Sequence, residues 1–202
     1  MATDEFRELL ERRMNAGDTA GRAEIDGAIR ARYERHRAVL ISDMTGFSRI
    51  TQEEGIVHFL ELIHRMHRLA VPIIEAHGGQ VVKSEADNLF AIFDSAQAAV
   101  TTAVALQDAC GRAFAGKRAN DTVALGIGIA AGRVLDLDGK DVFGDAVNLA
   151  SKLGEDLAHG GDLFITQAAA NDITTPSGWT AAPRREVVSN VEIEFVALRR
   201  DP

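Results

Sequence analysis

Along the chain, the spacing of apolar and polar positions changes character at residue 38. Before it, Phe6, Leu9, Leu10, Ile25 and Ile29 are scattered among Arg, Glu and Asp and interrupted by Gly17 and Gly21, which predicts two short charged helices over residues 1–36. Their periodicity is weak, so a regulatory or dimer-supporting segment and a solvated extension stand as equal readings, neither of them a core. Ala38, Val39, Leu40 and Ile41 then form the continuous apolar run of a buried central strand, ending at Ser42-Asp43. Ile56, Phe59, Leu60, Ile63, Met66, Ala70 and Ile74 recur at helical spacing up to a stop at His77-Gly78-Gly79. Pro72 is expected to kink or shorten the last turns of that helix.

Residues 80–83 and 89–93 read as two strands joined by the polar tip Ser84-Glu85-Ala86-Asp87-Asn88. Ser95 then caps a helix with Ala99, Ala103, Leu106 and Cys110 on one face, and residues 123–129 supply another strand. Strand, helix, strand, strand, helix, strand is the split βαβ order of ferredoxin-like α+β folds, with a largely antiparallel sheet and helices on one face. A C-terminal extension follows: a short strand at 133–135, a turn at Asp138-Gly139, a helix over 145–158, and strands near 163–165 and 194–198. Trp179 reads as a packing residue.

Composition narrows the partners. With 46% apolar residues in 202, the chain can bury one ordinary core. A net charge of −8 without a Lys/Arg cluster excludes a grip on nucleic acid, so a phosphorylated ligand would need a metal. The lone Cys110 leaves no intramolecular disulfide. No run approaches the ~20 apolar residues of a membrane span, and the charged N-terminus is no signal peptide, so a cytoplasmic protein is expected.

The candidate chemistry sits where strands meet turns. Asp43 ends the first strand and Asp87 lies at the hairpin tip; first and third strands are neighbours in a split βαβ sheet, so the carboxylates can converge. Hard oxygen ligands of this kind suit Mg²⁺ or Mn²⁺, and two ions can stabilise both the attacking and leaving oxygens of a displacement at phosphorus. Alone, two such Asp residues are ordinary turn residues. Thr45-Gly46-Phe47-Ser48 adds a Gly beside the first carboxylate and before a helix, where backbone N–H groups can cradle phosphates, with Phe47 anchoring the turn in the core. Asn148 and Lys152, four apart on the predicted helix, project from one face, an amide and a cation suited to a ribose and a triphosphate, or else a plain polar surface. His58, His64 and His67 have no Cys or further ligand beside them and read as helix-surface histidines. Gly126-Ile127-Gly128 with Gly132 has the wrong spacing for a dinucleotide loop and lies in a strand.

Three ordered blocks together resemble the class III nucleotidyl cyclase catalytic domain: Ser42-Asp43-Met44-Thr45-Gly46-Phe47-Ser48, then Lys83-Ser84-Glu85-Ala86-Asp87, then Asp141-Val142-Phe143-Gly144 with Val147-Asn148-Leu149-Ala150-Ser151-Lys152. The resemblance spans about residues 37–165, dividing the chain into a helical extension, 1–36, and a catalytic domain, 37–202. It implies that Asp43, Asp87 and the backbone of Met44 hold two Mg²⁺ or Mn²⁺ ions, and that Thr45, Gly46, Phe47 and Ser48 form the phosphate turn. It further implies that Lys83 and Asp141 select the base, where guanylate cyclases of this kind use Glu and Cys; adenine offers an acceptor to Lys and an amino donor to Asp, so ATP is the expected substrate. Asn148 would orient the ribose, and Lys152 stands where the family carries a transition-state Arg. The family's sites are shared between two protomers, which implies a homodimer. Two departures bear on activity. Lys152 lacks the planar fork of Arg, and Ala86 replaces a Gly before the metal Asp, where a positive φ would strain it. A weak or inactive nucleotide-binding module, and a cyclase acting on GTP or a pyrimidine triphosphate, are the alternatives these residues leave open.

Overall fold

The structure is a computed structural model that describes residues 4–201. The chain begins with α1 (Asp4–Asn15) and α2 (Thr19–Tyr33), enters β1 (Glu34–Met44), and continues through α3 (Phe47–Glu54), α4 (Ile56–Ala76), β2 (Gln80–Glu85) and β3 (Asn88–Phe93). After α5 (Ala96–Phe114) come β4 (Leu125–Asp136), β5 (Val142–Phe143), α6 (Asp145–Ser151), a π-helical turn (Lys152–Leu157), β6 (Leu163–Thr166), α7 (Gln167–Ala170), β7 (Trp179–Val188) and β8 (Val191–Arg200).

Because Val39, Leu40 and Ile41 are apolar on both faces, β1 takes the middle of the sheet, where all three are fully buried. The strand order is β2-β3-β1-β4-β6-β8-β7, with β5 paired beside β4; β1 runs antiparallel to both β3 and β4, as the split βαβ reading requires. Among the described residues, β4 and β6 are the one pair that runs parallel. The predicted strands at 123–129 and 133–135 are one strand, β4, held in register with β1 along its length.

Helices lie on both faces of the sheet, a correction to the expectation of one. Leu40, Met44, Leu89 and Ile129 pack with Phe59, Leu62, Met66 and Ile74 of α4 and Ala103 and Leu106 of α5. On the opposite face, Val39, Ile41, Phe90 and Ala130 pack with Ala146 and Ala150 of α6. The expected single helix over 145–158 is α6 followed by the π-helical turn.

Pro72 does not shorten α4, which continues to Ala76; Pro72 and Arg68 are exposed, so the carbonyl that loses its partner faces water. The buried stripe of α4 is Phe59, Leu62, Met66, Ala70 and Ile74, while Ile56 and Leu60 are 51% and 54% exposed. Ser95 caps α5 by accepting from the Ala98 N–H at 3.2 Å. Cys110 on α5 is a buried free thiol, pushed up to about 11 by burial. Trp179 is buried as a packing residue.

Two features went unread in the sequence. Strand β7 is an edge strand with exposed Arg184, Arg185 and Glu186 and an internal Pro183, so it lacks apolar alternation. It joins β8 through Ser189 and Asn190, at φ 49° and 63°, the paired positive values of a tight hairpin turn. The N-terminal helices, expected to form no core, have a small one: Phe6, Ile25, Ile29 and Tyr33 are buried against Leu137.

Candidate active site

Side chains alternate along β1, so Asp43 shares its face with Val39 and Ile41 and emerges on the side covered by α6. Burial pushes the Asp43 carboxyl up to about 6, helped by the nearby negative charges of Asp87 and Glu155 and opposed by a hydrogen bond from the Met44 N–H. Asp87 arrives from the β2–β3 turn, and burial raises its carboxyl as well. The two predicted ligands therefore share one partly buried site. Two partly buried carboxylates, the first raised further by the charge of the second, fit a hard divalent cation. Among the described residues no group of three or more His, Cys, Asp or Glu forms a metal site, so the remaining ligands would be backbone oxygen, water or phosphate.

Ala86, directly before Asp87, adopts φ 54°, the left-handed conformation anticipated for that position. The turn after Asp43 is shaped by Gly46, at φ 101°, which caps the N-terminus of α3 without a side-chain partner for its N–H groups. Thr45 is held there by two bonds to the Ala124 carbonyl, from its N–H at 3.0 Å and its hydroxyl at 3.2 Å. Ser48 is exposed beside that turn. Phe47 is not the buried core anchor expected of it: it is 49% exposed and meets the core edge-on at Phe59, with ring centroids 5.0 Å apart.

Lys83 and Asp141 come together although they are 58 positions apart. Lys83 Nζ lies 2.9 Å from Glu85 Oε1 and 3.7 Å from Asp141 Oδ1, and over the Phe90 ring at 4.7 Å. Asp141 also accepts from the Val142 N–H at 3.0 Å, which orients its carboxylate.

Asn148 is exposed on α6, and the Lys152 N–H donates to the Asn148 carbonyl, so the two stand one turn apart on a continuous helical path. Neither side chain has an ion pair or hydrogen bond within the described chain. Their helix approaches the sheet closely because Gly128 and Gly154 meet there: a Cβ on Gly128 would sit 2.3 Å from the Ala150 carbonyl oxygen, and one on Gly154 2.6 Å from that of Ile41. The glycines dismissed as a dinucleotide loop thus serve helix packing. The same approach brings Glu155, accepting from the Ser151 hydroxyl at 3.0 Å, into the field of Asp43, a neighbour that sequence reasoning missed. The available signal was its place seven residues, two turns, beyond Asn148.

The three histidines form no metal cluster; His58 instead lies 3.0 Å from the Asn120 carbonyl and 3.2 Å from Asp121. No helix among the described residues is long and apolar enough to cross a membrane.

Comparison with known proteins converges with this geometry. The sequence signature of the adenylate and guanylate cyclase catalytic domain matches residues 30–190. An adenylate cyclase of Streptomyces coelicolor is 32% identical over 150 residues, 74% of this chain and 37% of that protein. The crystal structure of an adenylate/guanylate cyclase/hydrolase from Silicibacter pomeroyi matches with a TM-score of 0.66 at 30% identity, covering 84% of this chain and 99% of the other. The guanylyl cyclase Cya2, at 19% identity, shares the fold with a TM-score of 0.68 over 84% of this chain and 94% of its own. The chain spans 22% to 37% of the length of the curated relatives it first matches. With the signature covering most of its length, the chain belongs to the adenylate and guanylate cyclase catalytic-domain family.

Proposed function

We propose that the chain converts ATP to 3′,5′-cyclic AMP and pyrophosphate in a homodimer whose sites each combine residues of two protomers. The observation that carries the reading is the convergence of Asp43 and Asp87, each with its carboxyl raised, beside a glycine turn that no side chain caps. Asp43, Asp87 and the Met44 backbone would hold two Mg²⁺ or Mn²⁺ ions. Such ions supply Lewis acidity at the phosphates and the 3′-oxygen.

The chain's own groups do the rest by positioning. The N–H groups of Gly46, Phe47 and Ser48, with the Ser48 hydroxyl, receive the phosphates at the start of α3, and Thr45 fixes the turn through its bonds to Ala124. Lys83 donates to a ring nitrogen of adenine while Asp141 accepts from its amino group; guanine would present a carbonyl oxygen to Asp141 and be repelled. Asn148 orients the ribose, and Lys152 places a positive charge on the phosphates as the 3′-oxygen bonds to the α-phosphorus and its bond to pyrophosphate breaks. The exposed apolar side chains of Phe47, Ile56, Val57 and Leu60 near the phosphate turn suit contact with a second copy.

A nucleotide-binding module without turnover is a second reading, favoured by the strained Ala86 and by Lys152 in place of Arg. One experiment separates the readings: cyclic nucleotide formation from ATP, GTP, CTP and UTP with Mn²⁺ by wild type, Asp43→Ala and Asp87→Ala. Cyclic AMP made by wild type and lost in both variants supports the proposal. Binding without product supports the module, and a preference for another base replaces ATP as substrate.

A further inference from the structure

Asp141 closes a tight turn whose other end is tied to the N-terminal helices. Within the turn, the Leu137 N–H donates to the Asp141 carbonyl at 2.9 Å, the Lys140 N–H to the Leu137 carbonyl at 3.1 Å, and the Gly139 N–H to Asp136 Oδ1 at 2.8 Å. Asp138 and Gly139 at its tip take φ 55° and 67°, the paired positive values of an Asp-Gly hairpin turn.

The turn is gripped from α1 and α2. Arg32 donates through both terminal nitrogens to the two carboxylate oxygens of Asp138, 3.0 Å each, a bidentate fork. The same guanidinium lies 3.5 Å from Glu5 and stacks on the Tyr33 ring at 4.7 Å. Tyr33 is fully buried, meets Phe6 edge-on at 5.4 Å and donates its hydroxyl to Glu5 at 3.1 Å. Leu137, adjacent to Asp138, is fully buried in that same small core. Beyond the turn the helices stand off from the sheet, leaving an open groove of about 650 Å³ lined by Leu10, Arg13, Arg133 and Phe143.

The geometry points to the docked N-terminal helices as a regulatory clamp on base reading: Arg32 and Leu137 are positioning residues that set the reach of Asp141 toward Lys83. This rests on the proposed pairing of Lys83 and Asp141 with adenine. Undocking removes the Arg32 fork from Asp138 and the burial of Leu137, loosens the Leu137–Asp141 hydrogen bond and moves the base-reading carboxylate. The metal-bearing turns, at the other end of β1, are spared. A displacement arriving from upstream is transmitted without a linker, because α2 ends at Tyr33 and β1 begins at Glu34. A clamp on the base end alone predicts that undocking raises KM and lowers base discrimination, with kcat little changed.

The test uses the full chain and compares wild type with Arg32→Ala, Asp138→Asn and the conservative Arg32→Lys. Asn keeps the tolerance for positive φ while removing the charge. KM and kcat are measured for ATP and GTP, together with hydrogen exchange of the amides from 137 to 143. Arg32→Ala and Asp138→Asn should each raise KM for ATP and lower the ATP/GTP ratio about fivefold, keep kcat within about twofold, and speed exchange in the turn, with Arg32→Lys intermediate. Faster exchange with unchanged KM and ratio would make the clamp merely structural and overturn the inference, as would no change in either readout. A wild type that cyclises no triphosphate would overturn the underlying function instead, and the exchange comparison would still decide whether the helices hold the turn.

Discussion

Lys83 and Asp141 stand 3.7 Å apart although β2 forms an edge of the sheet and Asp141 precedes β5, which pairs beyond β1 with β4. The loop carrying Asp141 folds back across the sheet, where the Gln80 side chain donates to the Gly139 carbonyl at 3.4 Å. The pair brings two of the three sequence blocks into contact.

Lys83→Ala should lower kcat/KM for ATP by roughly 10- to 100-fold, because it leaves Asp141 without its counter-charge and the adenine nitrogen without a donor. Lys83→Glu combined with Asp141→Cys should invert the order of ATP and GTP. Steady-state kinetics with both nucleotides checks each; an unchanged ATP/GTP ratio would remove the pair from base selection.

Asp43 predicts a pH effect on stability. Its folded carboxyl is raised from an ordinary carboxylate value to about 6, so folding favours the protonated form. The stability it contributes is full at low pH and is lost as pH rises through about 6. In the presence of a chelator, Asp43→Asn, which mimics the protonated state, should stabilise the protein at pH 8 by about 1 kcal/mol after allowance for solvent screening, and flatten the slope between about pH 4 and 6. Thermal melts across pH check this, and Mn²⁺ should stabilise wild type but not the variant.

Lys152→Arg restores a planar fork at the place where charge on the phosphates must be held. A gain of about tenfold in kcat with an unchanged melting temperature is expected. A loss of turnover would show that the site is built around an ammonium.

Ala86→Gly should stabilise the protein by about 0.5 to 1 kcal/mol, the relief of a left-handed alanine offset by the greater freedom of glycine in the unfolded chain. Denaturant titration measures it.

A site shared between protomers, as proposed, predicts complementation. Asp43→Ala and Lys152→Ala should each be inactive alone. Mixed in equal amounts they should recover about a quarter of wild-type activity, since half the dimers are mixed and each mixed dimer has one intact site of two. No recovery from subunits shown to exchange would contradict sharing.

Much of this was legible locally. The apolar run at residues 38–41 and the Asp43 that ends it predicted both the central strand and the position of a carboxylate at its mouth. The hairpin tip carrying Asp87 followed from polar residues between two apolar runs. Local pattern failed where a partner elsewhere decides the structure. Strand β7 has no apolar alternation because an edge strand needs none, and the exposed half of Phe47 cannot be told from a core aromatic by its neighbours in sequence.

By itself, then, the sequence determined the order of strands and helices in the split βαβ unit, the three motif blocks and the family they belong to, because hydrophobic period and turn chemistry are properties of short segments. Only the tertiary structure decided that Glu155 shares the field of Asp43, that α6 covers the second face through Gly128 and Gly154, and that Arg32 and Leu137 hold the turn before Asp141. Each of these joins residues far apart in the chain, and no period or local spacing records which distant surfaces close packing will bring into contact.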